Sequence, residues 1–162
     1  MDAVKEKAEK YSMKLPFIAL EPGRSIVGEA GITLYTVGAI KEIPNVKKYV
    51  AVDGGMFDNP RFALYQAKYT VVSANKLNET PNEKYSVAGK CCESGDIIAE
   101  DCFLPKTNVG DLIAVLSTGA YNYSMSSNYN RNLIPPVVMV KDGKARYAVK
   151  PQTYEDLVRN DI

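Results

Sequence analysis

The sequence has 162 residues, with 20 Lys and Arg against 19 Asp and Glu, which gives a formal charge of +1. This length suits a single domain with its own core, and so balanced a charge argues against an electrostatic nucleic-acid binder. The chain has no histidine, which excludes Ser-His-Asp and Cys-His catalysis and every His-ligated metal site. We therefore expect acid–base chemistry to fall to Cys, Tyr, Lys or carboxylate side chains.

The cysteine content and hydropathy indicate the compartment. Cys91, Cys92 and Cys102 are too few and wrongly spaced for a zinc site or a disulfide framework. An odd cysteine count without a signal peptide is typical of a reduced protein. No apolar run approaches the ~18 residues of a membrane span. We therefore expect a cytoplasmic protein with no nucleic-acid, membrane or metal partner.

The first 30 residues have the sequence pattern of an α/β unit. Residues 2–12 predict an amphipathic helix, and the apolar run 17–20 predicts a buried strand. A helix followed by a buried strand is typical of the last piece of an α/β unit rather than the start of an independent fold. We therefore predict that residues 1–30 are a remnant of an α/β domain.

From residue 31 onward the pattern is that of an all-β domain. Strands are predicted over residues 32–43, 48–53, 69–74, 85–90, 111–116, 137–141 and 145–150. Asp142-Gly143 predicts a tight hairpin between the last two strands. A short helix is predicted within 61–68, and Thr153 is placed to cap a final helix over 154–159. We therefore predict a mainly β barrel or sandwich over residues 31–162.

Glu21, Pro22, Gly23 and Arg24 follow the predicted strand of the α/β remnant. Ligands of α/β folds gather at the carboxyl ends of strands. Gly23 permits close backbone approach to an anion, and Arg24 offers a planar fork for a phosphate or carboxylate. Pro-Gly is also an ordinary turn signal, so this motif alone leaves both interpretations open.

Two further segments are rich in functional groups. Residues 89–96 carry the thiol of Cys92 beside the carboxylate of Glu93, a candidate proton donor, although a strand running into a Ser-Gly-Asp turn explains the same pattern. Residues 119–130 hold three Tyr, three Asn and three Ser with no charge. Such a segment suits the wall of a ligand site, or a polar loop whose rings pack on the sheet.

Several short motifs in order resemble the C-terminal part of the diaminopimelate decarboxylase family, which are fold-type III pyridoxal-phosphate enzymes. The similarity runs from about Leu15 to the end of the sequence. It is carried by Glu21-Pro22-Gly23-Arg24-Ser25, Asp53-Gly54-Gly55-Met56, Asn59-Pro60-Arg61-Phe62-Ala63-Leu64-Tyr65, Cys92-Glu93-Ser94-Gly95-Asp96, and Gly119-Ala120-Tyr121 with Ser127-Asn128-Tyr129-Asn130.

The resemblance implies an N-terminal (β/α)8 barrel followed by a C-terminal β domain. This chain would hold the last helix and strand of that barrel and then the β domain. In the family, the lysine that forms a Schiff base with pyridoxal 5'-phosphate lies on an early barrel strand, which this sequence does not contain. We therefore expect the chain alone to be inactive and the full-length parent to decarboxylate meso-diaminopimelate to L-lysine.

The resemblance also implies roles for individual residues. The backbone of residues 21–24, which are Glu21, Pro22, Gly23 and Arg24, would hold the cofactor phosphate. The side chains of Arg24, Arg61 and Tyr65 would bind the substrate carboxylate. Tyr121 would contact both cofactor and substrate.

The same resemblance implies a homodimer in which Cys92 and Glu93 of one subunit reach into the active site of the other. Cys92 would protonate the substrate Cα after loss of carbon dioxide, and Glu93 would bind the distal end of the substrate. Related decarboxylases of simpler diamino acids carry Cys-Asp at this point, which favours diaminopimelate. Two alternatives stay open: a decarboxylase of another polar amino acid such as carboxynorspermidine, and a non-catalytic dimerisation or binding module.

Overall fold

The computed structural model describes residues 1–162. Its five α-helices are α1 Asp2–Lys10, α2 Arg24–Val27, α3 Arg61–Tyr65, α4 Asn122–Met125 and α5 Tyr154–Val158. Its eight strands are β1 Thr33–Ile43, β2 Lys47–Val52, β3 Val71–Ser73, β4 Glu83–Ala88, β5 Ile97–Leu104, β6 Leu112–Val115, β7 Val137–Lys141 and β8 Lys144–Val149. The predicted mainly β fold is confirmed. No helix is long and apolar enough to cross a membrane.

Six of the strands form one sheet in the order β3-β6-β1-β2-β4-β5. All neighbours are antiparallel except β2 and β4, which run parallel. The long strand β1 serves two partners, because its first half pairs with β6 and its second half pairs with β2. The two edge strands, β3 and β5, contact each other, so the sheet curls into a nearly closed barrel.

The core fills the inside of this curled sheet. Alternate residues of β1, Tyr35 and Val37, point inward, as the two-residue period of a strand requires. They pack with Val50, Val87, Ile98, Ile113 and Val115, which are all fully buried. Branched side chains at these positions suit a pleated, closely packed surface. The result is a rigid frame whose loops carry the polar segments.

The second sheet is the hairpin of β7 and β8, and the sequence signals for it are confirmed. Asp142 and Gly143 both adopt positive φ, 51° and 71°, as a two-residue hairpin turn of the primed type requires. The helix that follows begins at a capping box, in which the Thr153 hydroxyl accepts from the Asp156 N–H and the Asp156 carboxylate accepts from the Thr153 N–H.

The structure differs from the predicted strands in two places. Residues 17–20 form no strand, and Phe17 and Leu20 are 95% and 83% exposed rather than buried. A strand needs a neighbour to complete its backbone hydrogen bonds, and neither sheet of this chain extends to that segment. Conversely, β5 was not predicted. Its alternation is broken at Asp101, which has a positive φ of 54° inside the strand.

An arginine–tyrosine cluster and a cysteine turn

Arg24, Arg61, Tyr65, Tyr69 and Tyr121 form a cluster, defined here as the arginine–tyrosine cluster. The guanidinium carbons of Arg24 and Arg61 each lie 5.3 Å from the centre of the Tyr121 ring. Arg61 lies 5.0 Å from the ring of Tyr65, and Arg24 lies 6.0 Å from that of Tyr69. The structure therefore brings together four of the predicted site residues: Arg24, Arg61, Tyr65 and Tyr121.

Neither guanidinium has an anionic partner in the chain. No carboxylate lies within ion-pair distance of Arg24 or Arg61. Arg24 donates from Nη1 to the Ser117 carbonyl at 3.3 Å, and Arg61 Nη1 lies 3.5 Å from the sulfur of Met125. The Nε of Arg61 is buried without any partner. Two unpaired cations facing one aromatic ring can bind an anionic group such as a carboxylate or phosphate.

Arg24 is held in place although it belongs to the segment before the barrel. The Thr118 N–H donates to the Gly31 carbonyl at 2.9 Å, and the Gly119 N–H donates to the Gly28 carbonyl at 2.9 Å. These two bonds fix the segment that follows α2 against the end of β6. Arg24 on α2 therefore reaches the sheet domain at a defined place.

The Glu-Pro-Gly-Arg loop lies beside the same cluster. Glu21, Pro22 and Gly23 are exposed. The Tyr121 hydroxyl lies so close to Gly23 that a β-carbon there would overlap it. The N–H groups of Gly23 and Arg24 donate no hydrogen bond within the chain. This loop therefore presents free backbone donors next to Tyr121, a suitable arrangement for a phosphate group.

Tyr121 itself is held in an unusual backbone conformation. Its φ of 71° lies in the left-handed region, which residues other than glycine rarely adopt. The Tyr121 carbonyl accepts hydrogen bonds from the Met125 N–H at 2.9 Å and from the Ser124 hydroxyl at 3.0 Å. Such conformations concentrate at functional sites because they aim a side chain in a fixed direction.

The second group of predicted residues, Cys92 and Glu93, lies in an exposed turn between β4 and β5. We define residues 90–96 as the cysteine turn. The Cys92 N–H donates to Asn130 Oδ1 at 2.7 Å, and the Tyr129 hydroxyl donates to Glu93 Oε2 at 3.5 Å. Partial desolvation and the Glu93 carboxylate raise the pKa of Tyr129 above its usual value, so its hydroxyl keeps its proton.

The two adjacent thiols of the turn differ in environment. Cys91 is partly buried, and desolvation together with the Asp96 carboxylate raises the pKa of its thiol to about 11. The amide of Asn132 lies 3.6 Å from its sulfur. Cys92, in contrast, is exposed to solvent. The structure thus separates a protonated, partly enclosed thiol from an accessible one.

The cysteine turn and the arginine–tyrosine cluster are not joined by hydrogen bonds or ion pairs, because the bonds of Cys92 and Glu93 go to other residues. The segment 119–132 connects them, because it carries Tyr121 at one end and Asn130 at the other. The predicted site residues therefore fall into two separate groups within one chain.

Sequence reasoning gave no role at the site to Tyr69, Asn130 or Asp96, although Asp96 lies in the segment 89–96 that it identified. Tyr69 was assigned only to a strand, yet its hydroxyl donates to the buried amide oxygen of Asn122 at 3.3 Å and its ring faces Arg24. Asn130 holds the backbone of Cys92 across 38 residues of sequence. No local pattern signals such pairings, although Asn130 lies within the polar segment that was singled out.

A buried polar pair joins Tyr35 of β1 to Asp58 in the segment 54–60, which leads into α3 and Arg61. The Tyr35 hydroxyl donates to Asp58 Oδ1, and the Gly55 N–H donates to Asp58 Oδ2 at 3.2 Å. Burial raises the pKa of Asp58 to about 6, against these two hydrogen bonds, which lower it. Burial and the Asp58 charge also raise the pKa of Tyr35 well above its usual value.

This pair predicts a pH dependence of stability. Because the folded-state pKa of Asp58, about 6, exceeds the unfolded value of about 3.9, the native state binds the extra proton. The contribution of Asp58 to the free energy of unfolding should therefore be largest below about pH 4 and fall by about 2–3 kcal/mol as the pH rises through 6. Urea unfolding of this chain and of Asp58→Asn at several pH values checks this.

The variant should gain stability relative to the wild type between pH 4 and pH 7, and the difference should be constant above that range. Asp142→Asn, in the exposed hairpin turn, is the matched control, because Asn-Gly also suits that turn. A pH-independent difference between Asp58→Asn and the wild type would show that Asp58 does not titrate in this range.

The family of the chain follows from its sequence as a whole. The profile of the C-terminal sheet domain of pyridoxal-dependent decarboxylases matches residues 11–119. The chain belongs to this family. The matched region covers the Glu-Pro-Gly-Arg loop, Arg61, Tyr65 and the cysteine turn of this decarboxylase sheet domain.

Individual relatives match almost the whole length of this chain. The chain is 56% identical over 162 residues to a diaminopimelate decarboxylase of Bacillus subtilis (strain 168), covering 100% of this chain and 37% of that protein. It is 53% identical to one of Staphylococcus aureus (strain COL), covering 99% of this chain and 38% of that protein. The chain thus spans little more than a third of the curated relatives it matches.

A solved structure shows the same fold. Diaminopimelate decarboxylase from M. jannaschii, in co-complex with L-lysine, superposes with a TM-score of 0.83 and 39% identity, covering 99% of this chain and 37% of that one. The fold of the barrel-like sheet with its N-terminal segment is therefore that of a known decarboxylase, and the expected family is confirmed.

Proposed function

We propose that this chain is the C-terminal part of a pyridoxal-phosphate enzyme that decarboxylates meso-diaminopimelate to L-lysine. The observation that carries the proposal is the pair of guanidiniums without an anionic partner, Arg24 and Arg61, each 5.3 Å from the centre of the Tyr121 ring. This anion site lies in a chain of the decarboxylase family whose relatives are named for this reaction.

The residues of the Glu-Pro-Gly-Arg loop fit the cofactor. Gly23 and Arg24 offer backbone N–H groups that donate to nothing else in the chain, and Tyr121 lies against Gly23. We assign these groups to the phosphate of pyridoxal 5'-phosphate, with Glu21 and Pro22 shaping the loop. When bound, the cofactor supplies an electron sink for the electron pair left as carbon dioxide departs.

We assign substrate binding and proton transfer to side chains of the two groups. The guanidiniums of Arg24 and Arg61 bind and orient carboxylate groups, and the exposed hydroxyl of Tyr65 adds a donor beside Arg61. Cys92 delivers a proton from Sγ to the substrate Cα. Glu93 binds the ammonium at the distal end of diaminopimelate, a group that needs a negative partner.

We propose further that the enzyme is a homodimer in which the cysteine turn of one subunit enters the site of the other. Two observations support this. No hydrogen bond or ion pair joins the turn to the arginine–tyrosine cluster within one chain, and both Cys92 and Glu93 are exposed, as residues that reach into a partner must be. The three cysteines are free thiols, which supports the cytoplasmic location expected from the sequence.

The proposed function is tested with the full-length enzyme that contains this chain. Purified enzyme with pyridoxal 5'-phosphate should release carbon dioxide from meso-diaminopimelate and form L-lysine. L-Ornithine, L-lysine and carboxynorspermidine serve as competing substrates, and their kcat/KM should be at least about 100-fold lower, because their distal ends lack the zwitterion that Glu93 and a cation recognise together. A higher kcat/KM for any of them would overturn the assignment to diaminopimelate.

The isolated chain of 162 residues should show no decarboxylation, because the family's Schiff-base lysine is not among its residues. Mixing it with pyridoxal 5'-phosphate and meso-diaminopimelate should release no carbon dioxide above the rate of free cofactor. Changing Lys150, which follows β8, should have no effect on that rate. Turnover that depends on Lys150 would show that this lysine is catalytic.

The isolated chain should also self-associate. Phe17 and Leu20 are almost fully exposed, and Leu15 and Ile26 nearby are 46% and 66% exposed. Apolar side chains grouped in this way favour association in water. Sedimentation velocity at about 100 μM should show dimers or larger species, and a Phe17→Ser/Leu20→Ser variant should show fewer of the larger ones. A monomer throughout would contradict this expectation.

A further inference from the structure

Asp96, at the end of the cysteine turn, is buried and yet has no cationic partner. It is 3% exposed, and no Lys or Arg lies within ion-pair distance of it. Its carboxylate is instead held by backbone donors. Oδ1 accepts from the Met56 N–H at 2.6 Å, and Oδ2 accepts from the Cys91 N–H at 2.7 Å. A buried carboxylate is stable only when such donors compensate its charge.

The backbone of Asp96 closes the same turn. Its carbonyl accepts from the Gly89 N–H at 2.8 Å, and its own N–H donates to the Glu93 carbonyl at 3.1 Å. Together with the bond from the Cys91 N–H, these contacts fix the turn before Cys92 and after Glu93. The two side chains assigned to catalysis and binding are therefore carried by a loop whose two ends meet at one residue.

The space around the carboxylate is fitted to it. A β-carbon at Gly89 or at Gly55 would overlap the Asp96 oxygens. The chain therefore approaches the carboxylate from both sides more closely than any other residue type permits. A longer side chain than Asp at position 96 would meet these two backbones.

The same carboxylate joins the cysteine turn to the segment that precedes Arg61 of the arginine–tyrosine cluster. Met56 lies in the segment 54–60, which leads directly into α3 and Arg61. A second bond, from the Lys90 N–H to the Gly54 carbonyl at 2.9 Å, runs between the same two segments. The position of Cys92 is thus set relative to the rigid frame and not left to a free loop.

We propose that Asp96 is a positioning residue, which sets the direction of the Cys92 thiol and the Glu93 carboxylate by holding the amides of Cys91 and Met56. The catalytic consequence rests on the proposed function, but the positioning itself does not. Asp96→Asn is the decisive variant, because an amide keeps one acceptor and turns a donor toward the other N–H. It preserves the size of the side chain, so that the pocket is not overfilled.

The full-length enzyme carrying Asp96→Asn should keep its fold, with a Tm within about 5 °C of the wild type, and lose at least about 10-fold in kcat for meso-diaminopimelate. Iodoacetamide should alkylate Cys92 at a rate changed by at least about 3-fold, while Cys102, elsewhere on β5, reacts at its usual rate. Asp101→Asn is the matched control, because Asp101 lies on β5, the strand that follows the cysteine turn, and its exposed carboxylate pairs only with Lys84. It should leave both kcat and the alkylation of Cys92 unchanged.

Hydrogen exchange tests the proposal without a variant. The amides of Cys91 and Met56 lie outside the strands, and the bonds to Asp96 predict that they exchange at least about 10-fold more slowly than the Ser94 amide in the same turn. Fast exchange at both would overturn the proposal, as would a folded Asp96→Asn enzyme with unchanged kcat and unchanged Cys92 alkylation. Exchange and alkylation need no substrate, so they decide the role of Asp96 even if the decarboxylase assay fails.

Discussion

The Cys92→Ser substitution in the full-length enzyme is expected to lower kcat for meso-diaminopimelate by about 10²–10⁴-fold, the usual contribution of a general acid. After carbon dioxide leaves, the substrate Cα must receive a proton, and the exposed thiol of Cys92 is the group proposed to supply it. Serine keeps the shape of the side chain, but a hydroxyl is a far weaker acid than a thiol. KM should change little, because the arginines that we propose to bind the substrate carboxylate lie in a separate cluster.

The other two thiols are the controls for this result. Cys91 is partly enclosed, with its pKa raised to about 11 by burial and Asp96, and Cys102 lies on β5 with its thiol donating to the Tyr85 carbonyl at 3.2 Å. Cys91→Ser and Cys102→Ser should each retain kcat within about 3-fold of the wild type. Steady-state assays of carbon dioxide release measure all three variants. A normal kcat for Cys92→Ser together with an impaired Cys91→Ser would show that Cys91, and not Cys92, donates the proton.

The second large effect is expected at Arg61. Arg61→Gln in the full-length enzyme should raise KM for meso-diaminopimelate by about 10–100-fold, because a hydrogen bond to a charged group contributes about 1.5–3 kcal/mol. The guanidinium has no carboxylate partner in the chain, so removing it breaks no ion pair of the fold. The loss should therefore fall on substrate binding rather than on stability.

Arg61→Lys should recover only part of this loss. The planar guanidinium of Arg61 faces the rings of Tyr65 and Tyr121 at 5.0 and 5.3 Å, and an ammonium cannot stack or bind a carboxylate with two parallel bonds in the same way. Arg159→Gln is the matched control, since Arg159 makes only an exposed ion pair with Asp156. An unchanged KM for Arg61→Gln would exclude Arg61 from the substrate site.

The sheet was largely predictable because its strands obey local rules. Alternation of apolar residues located β1 and β2, and the turn residues Asp142 and Gly143 located the final hairpin to within one residue. The exception, β5, carries the charged pair Glu100 and Asp101 in its middle, and the positive φ of Asp101 shifts the alternation there. A bulge depends on the facing strand, so a single segment does not reveal it.

The segment 17–20 is the reverse case, a predicted strand that does not form. Its four apolar residues have the composition of a buried strand, but composition does not state where the neighbouring strands are. Within this chain no strand lies beside it, so Phe17 and Leu20 remain exposed. Local sequence indicates what a segment can become, and only tertiary pairing decides whether it does.

The residues of the candidate site were predictable only where they lie in sequence motifs of the family. Arg24, Arg61 and Tyr121 are far apart in sequence, and no periodicity places them around one ring; the resemblance to a family did. Asp96 was visible as the last residue of a Ser-Gly-Asp turn, but its bonds to Met56 and Cys91 depend on two segments meeting. Contacts of this kind follow from the register of the sheet, which the sequence does not reveal directly.

The proposed assembly of the site from two subunits can be measured by mixing two impaired variants. Full-length Arg61→Gln and Cys92→Ser enzymes are unfolded together and refolded, then assayed for carbon dioxide release at a meso-diaminopimelate concentration well below the KM expected for Arg61→Gln, where both variants alone are nearly inactive. Random pairing makes about half of the dimers mixed, and each mixed dimer holds one site with an intact Arg61 and a partner's intact Cys92, so about a quarter of wild-type activity should return. Recovery no greater than the sum of the two variants alone would contradict a site shared between subunits.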